Sequence, residues 1–105
     1  MPRIHFKCEN GLNLRVIGHP RYESGDWDIS TQEAEALIGG TLHLHQTKRT
    51  PSYFGGVIES YRVVETDNAH STRIAFVVRS TLDARGVRWS GNDHVRAWTS
   101  GVIYD

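Results

Sequence analysis

The chain lacks most of the features that mark specialised protein classes. It has one cysteine, Cys8, in 105 residues, so it can form no intrachain disulfide and no multi-cysteine zinc site, and a reducing compartment is expected. No apolar run approaches the roughly 20 residues needed to span a bilayer, and Met1-Pro2-Arg3-Ile4-His5 does not read as a signal peptide. Charge of one sign is missing too: 12 basic and 12 acidic side chains cancel. That excludes a broad basic field for bulk binding to phosphate backbones. There is no phosphate-binding glycine motif, no serine in a nucleophile elbow and no carboxylate pair at glycosidase spacing. Repeats, linkers and low-complexity stretches are also missing.

What is present suits one globular domain. An apolar fraction of 38% with 23% charged residues excludes disorder driven by low hydrophobicity. A length of 105 residues is enough for one core, so residues 1–105 are read as a single, soluble, cytoplasmic domain. Ten of the 12 basic residues are arginines. Their planar forks suit phosphates, carboxylates and guanine edges, although codon bias gives the same excess.

Periodicity places the elements. Ile4, Phe6 and Cys8 alternate with polar neighbours, as do Leu12, Leu14 and Val16. Asn10-Gly11 between them tolerates the positive φ of a type I′ turn, so residues 3–17 are expected to form a hairpin. Residues 18–28 carry turn residues without a period and read as a loop. Ser30-Thr31-Gln32-Glu33 is a capping box ahead of Ala34, Leu37 and Ile38, with Gly39 as the stop, which predicts a helix over 30–38. Strands are expected at Thr41–Gln46, Val57–Glu65 and Arg73–Ser80, with weaker ones at Gly86–Trp89 and Val95–Tyr104; 67–71 and 90–93 read as turns. The expected class is α+β, mainly β: a small curled antiparallel sheet or barrel carrying one short helix.

Three constellations could carry chemistry. The connection from Lys48 to Gly56 holds two cations and the pair Tyr53-Phe54, a platform for stacking a base beside a phosphate, with Ser52 as a further polar contact. The alternative is a surface loop whose aromatics fold back on the sheet. Trp27, next to Asp28, and Trp89 lie in polar loops and suit the walls of a pocket for a flipped or modified base; they suit plugs at a barrel end equally well. His43 and His45, two apart on a strand, project from one face and are candidate metal ligands, although such pairs more often pack in a half-exposed wall. No cofactor is called for. Cys8 falls on an inward-facing position and reads as a core residue.

The helix at Ser30–Ile38, then Gly39-Gly40-Thr41-Leu42-His43-Leu44, then Gly56-Val57-Ile58-Glu59-Ser60-Tyr61 resembles the PUA-like fold, which includes the EVE, ASCH and YTH domains. The resemblance covers about residues 27–80. The chain departs from it in its opening hairpin and in the length of the Lys48–Gly56 connection. The resemblance implies a pocket that reads a modified or flipped base in DNA or RNA. Its walls would be Trp27, Tyr53, Phe54 and Trp89, with Lys48, Arg49 and Ser52 on phosphates or base edges. The favoured expectation is a nucleic-acid-binding module with no membrane partner. The rival is a small hydrolase, of ASCH amidohydrolase type or metal-dependent, using His43, His45, Lys48 and Glu59 on a nucleoside-like substrate.

Overall fold

A computed structural model describes residues 2–65, 72–90 and 98–104. The strands are β1 (Arg3–Lys7), β2 (Leu14–Gly18), β3 (Arg21–Trp27), β4 (Thr41–His45), β5 (Phe54–Glu65) and β6 (Thr72–Ser80). The helix α1 (Thr31–Leu37) lies between β3 and β4. The strands form one mixed sheet in the order β1-β4-β5-β6-β3-β2, antiparallel throughout except for the parallel pair β1–β4. The expected class holds at that level: mainly β with one principal helix.

The helix forms as its sequence directs. The Ser30 hydroxyl accepts from the Glu33 amide (3.0 Å) and the Glu33 carboxylate accepts from the Ser30 amide (3.1 Å), which satisfies two donors that a helix start leaves open. Ala34 and Leu37 are buried. Ile38 is not part of that stripe: it caps the helix with extended backbone and is 44% exposed. Gly39 follows at φ +84° and donates to the Ile58 carbonyl (2.8 Å), tying the helix end to β5.

The opening hairpin does not form. Asn10 and Gly11 do take positive φ (57° and 68°), but the chain does not fold back on itself there. β1 pairs in register with β4, from Arg3↔Thr41 to Lys7↔His45, while β2 pairs with β3 at the far end of the sheet. Burial explains the choice. Ile4 and Phe6 are fully buried, whereas Val16 and Ile17 of β2 are 63% and 57% exposed, so the two alternating runs do not share a core face. Three other assignments change. Residues 21–27 are a strand, β5 begins at Phe54, and residues 86–89 are not in a strand. Of the expected last strand, residues 98–104 run antiparallel to β1 through two isolated bridges, Arg3↔Ile103 and Phe6↔Thr99; residues 95–97 lie outside the described set, as do the turn expected at 67–71 and all but Ser90 of the turn expected at 90–93.

The sheet curls strongly. Phe6 on β1 stacks on Trp27 of β3 with ring centroids 3.9 Å apart and planes 6° apart, although three strands separate β1 from β3 in the sheet order. Ile4, Leu42, Leu44, Ile58, Ile74, Phe76 and Val78 fill the space enclosed. The outer face of β2, β3, β5 and β6 carries cross-strand ion pairs. Glu23 takes a bidentate contact from Arg62 (2.8 Å each) and a further one from Arg15, which holds its carboxyl well below the usual range, at about 2.

Candidate functional site

The site starts from a tight turn. Thr47 and Thr50 brace it: the Thr50 amide and hydroxyl both donate to the Thr47 carbonyl (3.3 and 3.1 Å). Lys48 and Arg49 are left at its tip. Ser52, expected to contact a ligand, is instead a buried clamp. Its hydroxyl donates to the Ala84 carbonyl (2.7 Å) and accepts from the Val87 amide (3.0 Å), while its backbone bonds Val87 and Gly86. That clamp brings Arg88 and Trp89 beside the turn. Lys48, Arg49, Thr50, Arg88 and Trp89 then line a cavity of about 290 Å³, with the Lys48 ammonium 5.4 Å from the indole centroid. The Trp89 Nε1–H is buried without a hydrogen-bond partner among the described residues.

Behind Trp89 lies a chain of imidazoles. The parallel pairing sets His5 opposite His43 and Lys7 opposite His45, so the outward residues of β1 and β4 share one face. His5 and His45 are fully buried there. The His45 Nδ1 lies 2.8 Å from the Thr50 carbonyl, which can only accept, so Nδ1 carries the hydrogen and Nε2 is the acceptor. Nε2 of His45 is 2.8 Å from Nδ1 of His5, which must therefore donate. Nε2 of His5 is left bare and faces the Ser90 hydroxyl at 3.2 Å, and that oxygen also accepts from Arg3 Nη2 at 3.3 Å. One polarity therefore runs from Arg3 through Ser90, His5 and His45 to the Thr50 carbonyl. His43 stacks on His5 (5.0 Å, 24°) and donates from Nδ1 to the Ala84 carbonyl (3.0 Å).

Electrostatics keep this chain neutral. Burial, together with the neighbouring His43, His45 and Arg3, lowers the His5 pKa to about 3. Burial also lowers His43 and His45, partly offset by the carbonyls they face. As for metal, the ring nitrogens bond one another, hydroxyls and carbonyls, and no group of three or more His, Cys, Asp or Glu among the described residues is arranged to hold an ion.

The proposed aromatic walls do not converge. Phe54 is 5% exposed and packs edge-on against Tyr22, a core residue because β5 begins there. The Tyr53 hydroxyl donates to the Cys8 carbonyl and accepts from the Gly11 amide (3.1 Å), locking the loop between β1 and β2; burial and the neighbouring Cys8 side chain raise its pKa, against a smaller lowering by the Gly11 amide. Trp27 stacks on Phe6 while Trp89 packs on His5 (5.5 Å), and consecutive strand residues point to opposite faces. The two indoles therefore stand on opposite sides of β1. Trp27 borders a separate hollow of about 370 Å³ with Lys7, Glu9 and Asp26, and Asp28 pairs with Arg73 at 3.8 Å. Glu59 is bound to Arg21 (2.7 Å), on the ion-pair face. Of the residues expected to line a base pocket, only Lys48, Arg49 and Trp89 line one cavity, with His45 packed behind the indole.

Sequence reasoning missed Arg3, His5, Ser90 and Arg88. The alternation Arg3, His5, Lys7 was a visible signal, but assigning β1 to a hairpin kept it away from His43 and His45. No family model, curated protein or solved structure matches this chain.

Proposed function

We propose that this protein is a nucleic-acid-binding module that grips a short unpaired stretch of DNA or RNA at the Lys48–Arg49–Arg88 cavity. The observation that carries this reading is local. In a chain with zero net charge, three cations converge on one hollow walled by an indole whose N–H has no hydrogen-bond partner among the described residues. Buried donors without a partner are rare in folded proteins and call for an acceptor. A cavity of about 290 Å³ suits a single nucleotide unit rather than a long tract. A base that stacks on Trp89 displaces the Lys48 ammonium from the ring and frees it for a phosphate. The curled, mainly β sheet with a short helix is compatible with the PUA-like resemblance, on which this reading also draws. A flipped or modified base is read here by Trp89 and not by the four-aromatic pocket.

The test is a titration with single-stranded oligonucleotides, followed by tryptophan fluorescence at several salt concentrations. With so few cations, the slope of log affinity against log salt should be about −1 to −3, given about 0.7 to 0.9 per neutralised phosphate. Lys48→Ala and Arg88→Ala should weaken binding alike for all sequences, while Tyr53→Ala changes stability only. Binding that ignores Lys48 and Arg88, or no binding at low salt, overturns the proposal.

A further inference from the structure

We propose that Ser90 is an acyl-accepting nucleophile and that the protein hydrolyses carboxylic esters that carry a negative charge. Four observations converge on it. The Ser90 hydroxyl sits 3.2 Å from the one bare ring nitrogen of His5, so its hydrogen is directed at a base. That base is oriented by His45 at 2.8 Å, and His45 is in turn fixed by the Thr50 carbonyl at 2.8 Å. A nucleophile, a base and an orienting third group within hydrogen-bond reach are the geometric signature of an activated hydroxyl. Arg3 Nη2 stands 3.3 Å from the same oxygen, a fixed cation beside the charge that develops during attack. Finally, Ser90 is half-buried while His5 and His45 are fully buried, so Ser90 is the end of the relay nearest the surface.

The substrate charge follows from the neighbours. Arg88 and Trp89 directly precede Ser90 and line the cationic cavity with Lys48 and Arg49. In the step proposed, Ser90 Oγ bonds to the ester carbonyl carbon and its proton passes to His5 Nε2. The ester C–O bond then breaks, and the alcohol leaves with that proton. Water next attacks the acyl carbon and gives a proton to His5; the bond from that carbon to Ser90 Oγ breaks, His5 returns the proton to Oγ, and a carboxylic acid is released. His5 does not keep a proton at rest, so it holds the one from Ser90 only while negative charge stands on the substrate carbonyl oxygen, and its Nδ1 hydrogen can shift to His45, moving the positive charge away from Arg3 toward the Thr50 carbonyl. Ser90 and His5 are the catalytic residues and His45 is a positioning residue.

The inference shares the cavity with the reading above but not its ligand, so its test uses no nucleic acid. The full chain is incubated with a fluorophosphonate probe and the labelled peptide is identified by mass spectrometry. Hydrolysis of p-nitrophenyl acetate and of the singly charged p-nitrophenyl succinate is followed in parallel. Labelling is expected at Ser90 and absent in Ser90→Ala. Because a positioned base is worth about 10²–10⁴-fold, His5→Gln should lose at least a hundredfold in labelling rate. The charged ester should be preferred about tenfold, a preference lost in Arg88→Ala. His45→Asn should lower kcat with KM unchanged and alter the pH profile. Absence of a Ser90 adduct, or equal ester hydrolysis by wild type and Ser90→Ala, overturns the proposal; since Ser90 is half-buried, its alanine variant is expected to fold. Equal rates on the two esters overturn the assignment of an anionic substrate.

Discussion

Acidification is the most direct probe of the imidazole chain. His5 is fully buried, with a pKa lowered to about 3, and the groups that face it are His43 and His45 from β4, Arg3 from its own strand, and the ring and hydroxyl of Trp89 and Ser90. Among the described residues, none of the groups facing it is an anion that would welcome a proton. In the unfolded chain the same imidazole titrates near 6.5. Below that pH the unfolded state binds a proton that the folded state refuses, so stability falls as pH falls, and there is no penalty above about 7. The slope is at most about 1.4 kcal/mol per pH unit per histidine, so at pH 5 His5 alone removes up to about 2 kcal/mol. His43 and His45 act in the same direction. Against a total stability of about 5–15 kcal/mol this is a large loss. The window from pH 7 to 5 isolates the histidines, because Glu23, with its pKa held at about 2, keeps its contribution until pH falls below about 4.5. Urea denaturation at pH 7, 6 and 5 measures the effect, and His5→Gln should reduce the pH slope by up to one proton. A free energy that stays level from pH 7 to 5 would refute the buried neutral chain.

Other outcomes follow from the packing. Phe54→Ala should cost about 3–5 kcal/mol of unfolding free energy, the usual loss for a buried aromatic, measured by chemical denaturation. Tyr53→Phe should cost about 1 kcal/mol, because it leaves the Cys8 carbonyl and the Gly11 amide without their shared hydroxyl. An added Cβ at Gly56 would fall on the Arg79 carbonyl of β6, and at Gly55 it would lie 2.6 Å from the Leu42 carbonyl of β4. Gly56→Ala should therefore lower the melting temperature sharply, with a loss at or above about 3 kcal/mol, since backbone cannot yield as a side chain does. Ser30→Ala should lose about 0.5–2 kcal/mol, because it removes the acceptor for the Glu33 amide.

Local rules decided what local contacts hold. The capping box at Ser30, the end of the helix at Gly39, the alternation that buries Leu42 and Leu44, and the inward set Ile74, Phe76 and Val78 were all legible, because each depends on neighbours a few residues away or on a simple period. The sequence also placed Lys48 and Arg49 in a connection. Tertiary pairing decided the rest. An Asn-Gly pair permits a reversal of the chain but does not compel one, and β1 gained more by laying Ile4 and Phe6 into the core beside β4 than by pairing with a strand whose Val16 and Ile17 stay exposed. That single long-range choice carried His5 to His43 and His45, and Ser52, read as a ligand contact, became the clamp that carried Arg88, Trp89 and Ser90 to them. Spacing along a chain shows which residues share a face of one element. Which faces meet is set by the burial they achieve together, and the candidate site exists only where two such faces meet.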